Sequence, residues 1–196
     1  MNGFIRSGRT RLITLGLTSL AVVGIAGATM MSLALFTDDA TLEDNAFTAG
    51  TIELSTSPAT ALFSVSAMMP GDVAYGQLTV SNDGTAELRY AMTSSSTDPD
   101  SKALAGALNL EVRQKAAGTC SADFTGTVVL ASTPLGGAAF GDPSQGQDSG
   151  DRVLAASASE NVCFRVSLPL STGNSYQGAT TTTTFTFQAE QTANNS

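Results

Sequence analysis

The chemistry open to this chain is bounded first by what it lacks. Its 196 residues contain no histidine, which removes imidazole acid–base catalysis, the Ser-His-Asp triad and every HExxH zinc site. Carboxylates are plentiful, 17 in all, and a glycosidase-type pair could be drawn from them. No pair stands out, however, and most of the acids fall in polar loops. Only Lys102 and Lys115 offer an amine for Schiff-base or isopeptide chemistry once the basic N-terminus is set aside. No phosphate loop occurs, and no GxGxxG follows a strand. Two acidic loops carry the oxygens that calcium favours, Asp98 with Asp100, and Asp142 with Asp148 and Asp151. Neither has the DxDxDG spacing with a distal Glu, so solvated loops and no cofactor are the expectation. Two cysteines remain, Cys120 and Cys163. In an exported protein such a pair reads as one disulfide, which in the chain-entropy treatment contributes ~4 kcal/mol.

Export is read from the N-terminus. Arg6, Arg9 and Arg11 form a basic region, and an apolar run follows over residues 12–35. Ser32, Leu33 and Ala34 put small residues where a signal peptidase reads, so cleavage is placed between Ala34 and Leu35. Residues 1–34 are thus a hydrophobic signal helix, long enough to hold the chain in a membrane for as long as it stays uncleaved. Cleavage removes three of the nine basic residues and none of the 17 acidic ones. The remaining six against 17 leave a charge of −11, which disfavours nucleic acid and anionic lipid as partners. The expected location is outside the cell, in a matrix or on the surface.

Past the signal, apolar and polar residues alternate over short runs rich in Thr, Ser, Gly and Ala, the pattern of an all-β domain. Strands are expected over residues 47–54, 61–67 and 74–81. Met69-Pro70-Gly71-Asp72 reads as a turn, and Asn82-Asp83-Gly84 as a hairpin turn into a partner strand over 87–93. Residues 94–101 read as a loop, and 102–108 as one or two helical turns capped by Ser101. Further strands are expected over 108–114 and 124–131, weakly over 153–158, then over 162–168, where Pro169 marks an edge or an end. Residues 132–151 read as a long surface loop. A threonine-rich strand over 179–189 comes last, and residues 190–196 read as a disordered tail. This makes about eight to ten short strands, enough for a two-sheet sandwich spanning 47–189. Residues 35–46 form an extended piece with no evident place in that domain.

Several of these residues resemble the TasA/camelysin family. Leu35-Phe36-Thr37-Asp38 and Asn45-Ala46-Phe47-Thr48-Ala49-Gly50-Thr51-Ile52-Glu53-Leu54 carry the likeness, which extends through Pro70, Gly71, Asp72, Gly76, Val80, Asn82, Gly84, Arg89 and Tyr90. The resemblance implies a jelly-roll-like β-sandwich, export through a SipW-like signal peptidase and self-association into fibres of a biofilm matrix. It also implies assembly by donor-strand exchange, in which the N-terminal segment of one subunit completes a sheet of the next. Residues 35–46 would be that donor, with Leu35, Phe36, Leu42 and Ala46 as apolar contacts, while Asp38, Asp39, Glu43 and Asp44 keep the free subunit soluble. Relatives named camelysin imply a second reading, a secreted metallopeptidase, although no zinc-type spacing is visible. A third is a surface adhesion or carbohydrate-binding module, for which Tyr75, Tyr90 and Tyr176 are scattered too widely to form a stacking platform.

Overall fold

The computed structural model describes residues 48–195. It contains β1 (Leu54–Ser57), β2 (Val73–Asn82), β3 (Leu88–Ser96), a one-turn helix α1 (Leu104–Ala107), β4 (Asn109–Gln114), β5 (Thr127–Pro134), β6 (Ala139–Phe140), β7 (Arg152–Leu154), β8 (Ser159–Ser167) and β9 (Thr183–Gln191). The strands form two antiparallel sheets. One has the order β1-β2-β8-β4-β5. The other is built on β3, which pairs along its length with β9 on one side and with the short β6 and β7 on the other. This is the all-β sandwich that the alternation implies.

The period-two pattern decides which side chains meet between the sheets. Leu78 and Val80 of β2, Leu110 and Val112 of β4, and Val162, Phe164 and Val166 of β8 face inward from the larger sheet. Leu88, Tyr90 and Met92 of β3 meet them from the smaller one, and all are buried. One polar group crosses this core: the Tyr90 hydroxyl donates to Glu160 Oε1 at 2.9 Å, and Arg152 closes an ion pair on the same carboxylate. On the outer face of the larger sheet, Cys163 is joined to Cys120, with their Cα atoms 5.5 Å apart. The bond ties down a loop whose Phe124 ring lies beside the guanidinium groups of Arg113 and Arg165, 5.2 and 4.8 Å from the ring centre. Both arginines bond Glu111 beneath.

Several expectations need correction. The first strand begins only at Leu54, because Thr51 and Glu53 bond the connector instead of a sheet: Thr85 N–H and Ala86 N–H donate to Thr51 O, and Asp83 N–H to Glu53 O. Residues 61–67 form no strand; Leu62 and Phe63 turn inward while Val65 stays exposed. Asn82-Asp83-Gly84 is not a hairpin turn, since β2 and β3 lie in different sheets. The buried Asn82 amide holds this crossing, donating to the carbonyls of Ala86, Leu154 and Ala155 and accepting from Gly84 N–H. Gly84 is required there because a Cβ would fall 2.4 Å from Thr51 O.

The helix is capped at Ala103 rather than Ser101, and Asp98 takes the Ala103 N–H at 2.9 Å. The strand expected over 124–131 starts at Thr127, after Phe124 has folded onto the arginines. Residues 132–151 are not simply a surface loop: β5 runs to Pro134, and Leu135, Ala138 and Phe140 are core residues. Pro169 follows the end of β8, a strand flanked on both sides. β9 takes in Glu190 and Gln191, the first residues of the expected tail, because Glu190 pairs with Arg89, which is only 3% exposed. The signal helix, the Ala34–Leu35 bond, the donor segment 35–46 and Phe47 lie outside the described residues.

Candidate functional site

The feature that distinguishes this sandwich is an open side. β9 pairs only with β3, so its other edge carries backbone N–H and C=O groups that no described strand takes up. Buried or half-buried edges of this kind are uncommon, because each unpaired group costs the energy of a missing hydrogen bond unless water reaches it. Phe185 and Phe187 point from β9 toward the core but remain half-buried; the Phe185 ring lies tilted against Phe164 with centres 5.3 Å apart, and the Phe187 ring centre lies 6.2 Å from that of Tyr90. Beside them lies a groove of about 1340 Å³ that runs between β9 and the β1–β2 side of the other sheet. Its floor is apolar, with Leu78, Phe164, Val166 and Leu168 among the lining residues. Small-molecule pockets are usually about 300–1,000 Å³, so a groove of this size has room for a segment of chain.

The start of β9 is pinned, which fixes the edge in place. Thr180 N–H donates to Asp100 Oδ2 at 2.7 Å, Lys102 Nζ to the Gln177 carbonyl at 2.7 Å, and Thr181 Oγ1 to the Thr97 carbonyl at 2.8 Å. Asp100 also takes the Lys102 N–H. Partial burial pushes its carboxyl pKa up, but the N–H donors from Thr180 and Lys102, with the Lys102 charge, outweigh that and hold it below the usual carboxylate range. Asp98 and Asp100, one of the two calcium candidates, thus serve as backbone anchors. The other loop is similar: Asp151 accepts from Asp142 N–H at 2.9 Å, and Asp142 from Ser144 N–H at 2.8 Å. The Ser144 bond lowers the Asp142 pKa. Among the described residues no three Asp, Glu, Cys or His side chains converge as a metal site, and both cysteines are spent in the disulfide. Tyr90 is buried and Tyr75 packs on Phe124 at 5.8 Å, so the tyrosines form no common platform.

The camelysin metallo-endopeptidase family matches residues 11–113, just over half of the chain. The chain belongs to the camelysin family. Among curated proteins none matches it. The matched span covers every residue that carried the resemblance, and the structure gives many of these residues positions within this camelysin-family sandwich. Gly71 takes a positive φ of 96° in the turn before β2, and its N–H bonds the Leu168 carbonyl at 2.8 Å. Asp72 caps the same turn through Met69 N–H at 2.7 Å. Asn82 and Gly84 hold the crossing between sheets, and Thr51 fastens the N-terminal strand to it through Thr85. Gly50 lies against the same crossing, where a Cβ would sit 3.5 Å from that of Ala86. Thr48 and Ala49 precede it and are exposed. Arg89 and Tyr90 form the two buried polar contacts of β3. None of these side chains faces the groove as a catalytic set would. The metal that the family description implies finds no ligand set among the described residues of this member. Sequence reading missed the groove itself and the place of Leu62 and Phe63 in its wall. The one available signal was Gly76, a glycine inside an alternating strand, which marks a close approach by another chain segment.

Proposed function

We propose that this protein is a secreted structural subunit of extracellular matrix fibres, assembled by donor-strand exchange. The observation that carries this reading is the unpaired edge of β9 beside a large groove with an apolar floor. A strand laid along that edge satisfies its N–H and C=O groups and buries its own apolar side chains on the groove floor. Residues 35–46 of a neighbouring copy are the proposed donor, with Leu35, Phe36, Leu42 and Ala46 as contacts. Such a contact is head-to-tail and does not close, so it propagates as a filament. Cleavage between Ala34 and Leu35 by a SipW-like peptidase frees the donor, which couples export to assembly. A non-cleavable Ala34 variant that still released free fibres would contradict that coupling. Electron microscopy of the secreted protein with and without residues 35–46 tests the donor role: filaments are expected only with the segment, and equal filaments from both preparations would exclude it.

The family description favours a second reading, a secreted metallo-endopeptidase. Casein cleavage that is abolished by a chelator and restored by zinc would support it, and protein that stays inert with zinc would remove it.

A further inference from the structure

One stretch of the groove wall is held differently from the rest. Residues 58–68 run along the open side, yet among the described residues no backbone hydrogen bond ties them to a strand. Their hold is apolar: Leu62, Phe63 and Met68 are half-buried against the core. Leu62 is seated most closely, since a Cβ built on Gly76 would lie 2.6 Å from its Cγ and 3.0 Å from Phe63 Cζ. Gly76 faces inward on β2 between Ala74 and Leu78. Its missing side chain leaves a notch that β2 cannot fill, and Leu62 occupies it. The segment therefore covers the apolar wall of the groove but leaves the backbone edge of β9 without partners. A true strand on that edge would supply both an apolar face and a hydrogen-bonded ladder.

We infer that residues 58–68 are a built-in plug, seated in the groove and the Gly76 notch of the free subunit and displaced by the incoming strand of a second copy, residues 35–46. The inference rests on the strand-acceptor reading above and adds its regulation. Before assembly the segment covers the apolar wall at Gly76, while the rest of the groove stays open. Leu62 and Phe63 line the same groove that the incoming strand would enter, so the two compete for its apolar wall. Exchange is favoured because the strand has a larger differential interaction with the opened state than the plug has with the closed one. The plug is held by side chains alone, so it can leave without breaking a sheet.

The test uses the full chain carrying Leu62→Cys, whose new thiol is the one free cysteine because Cys120 and Cys163 are joined. A synthetic peptide of residues 35–46 is added, its binding followed by fluorescence anisotropy and the introduced thiol by its rate of maleimide labelling. Binding is expected to speed labelling by about tenfold or more as the closed state is depopulated. Peptide binding with unchanged or slower labelling overturns the plug and leaves the acceptor reading standing. The double variant Leu62→Ser with Phe63→Ser is expected to take up the peptide about tenfold faster than the unaltered chain; uptake at the same rate or slower also overturns the plug. Failure of the peptide to bind either form removes the acceptor reading and the plug together.

Discussion

Asn82 is the residue on which the join between the two sheets most depends. Its amide is buried and serves three carbonyls and one N–H, drawn from the connector and from β7 and the residue after it. Asn82→Ala leaves several of these groups without partners where water cannot replace the amide. The expected loss is ~3 kcal/mol of unfolding free energy, read from the denaturant midpoint at constant slope; a loss within experimental error would show that the crossing is held by other contacts. Tyr90 makes a second prediction. Burial first, and then the Glu160 charge beside it, push its hydroxyl pKa well above the ordinary tyrosine value. A group whose folded pKa is raised contributes stability that is fully present below the unfolded value of ~10 and is lost as pH rises through the folded one. In an alkaline titration the Tyr90 phenolate is therefore expected to appear only together with loss of tertiary structure. Tyr90→Phe should remove that step from the absorbance change. Ionisation of Tyr90 in a chain that is still folded would contradict the buried hydroxyl–carboxylate contact.

At the scale of elements, the strands were legible wherever one face is buried. Leu108, Leu110 and Val112, and Val162, Phe164, Val166 and Leu168, alternate and lie inward as their pattern requires. What alternation could not give was the partner of each strand. Asn82-Asp83-Gly84 has the residues of a tight hairpin, but the Asn82 side chain bonds across to β7 and carries the chain into the other sheet. Local turn chemistry permits both outcomes, and long-range contacts choose between them. Residues 61–67 failed for the same reason: Leu62 and Phe63 are half-buried, but against a groove rather than within a ladder. The open edge was invisible in the sequence, because an unpaired strand and a paired one can share the same alternation. The disulfide was legible from the cysteine count, and it supplies a prediction at this scale. Cys120→Ser with Cys163→Ser opens a loop 43 residues long and should lower stability by ~2–4 kcal/mol. The loss should leave the sandwich folded, since Cys163 sits on β8, which is also held by β2 and β4. Collapse of the β-sheet circular dichroism at neutral pH would show instead that the bond is needed for folding.

At the scale of the whole molecule, the charge is arranged to keep single copies apart. Among the described residues five of the basic side chains sit in ion pairs with acids, and Lys102 is bonded to a carbonyl. The chain keeps an excess of acids, a net −8 over the full sequence. Association must then be driven by something other than charge, and an apolar groove with an unpaired backbone edge supplies it. The two sheets differ in how their edges are left. No residue of β5, at one edge of the larger sheet, lines this groove, whereas β9 borders it along its apolar Phe185 and Phe187. Copies joined by strand addition therefore protect one edge and not the other. Hydrogen exchange of the amides in Thr183–Gln191 and Thr127–Pro134, measured on the free subunit and on filaments, tests this most directly. The account predicts that β9 gains protection on assembly while β5 does not; protection gained at β5 alone, or at neither strand, would contradict it.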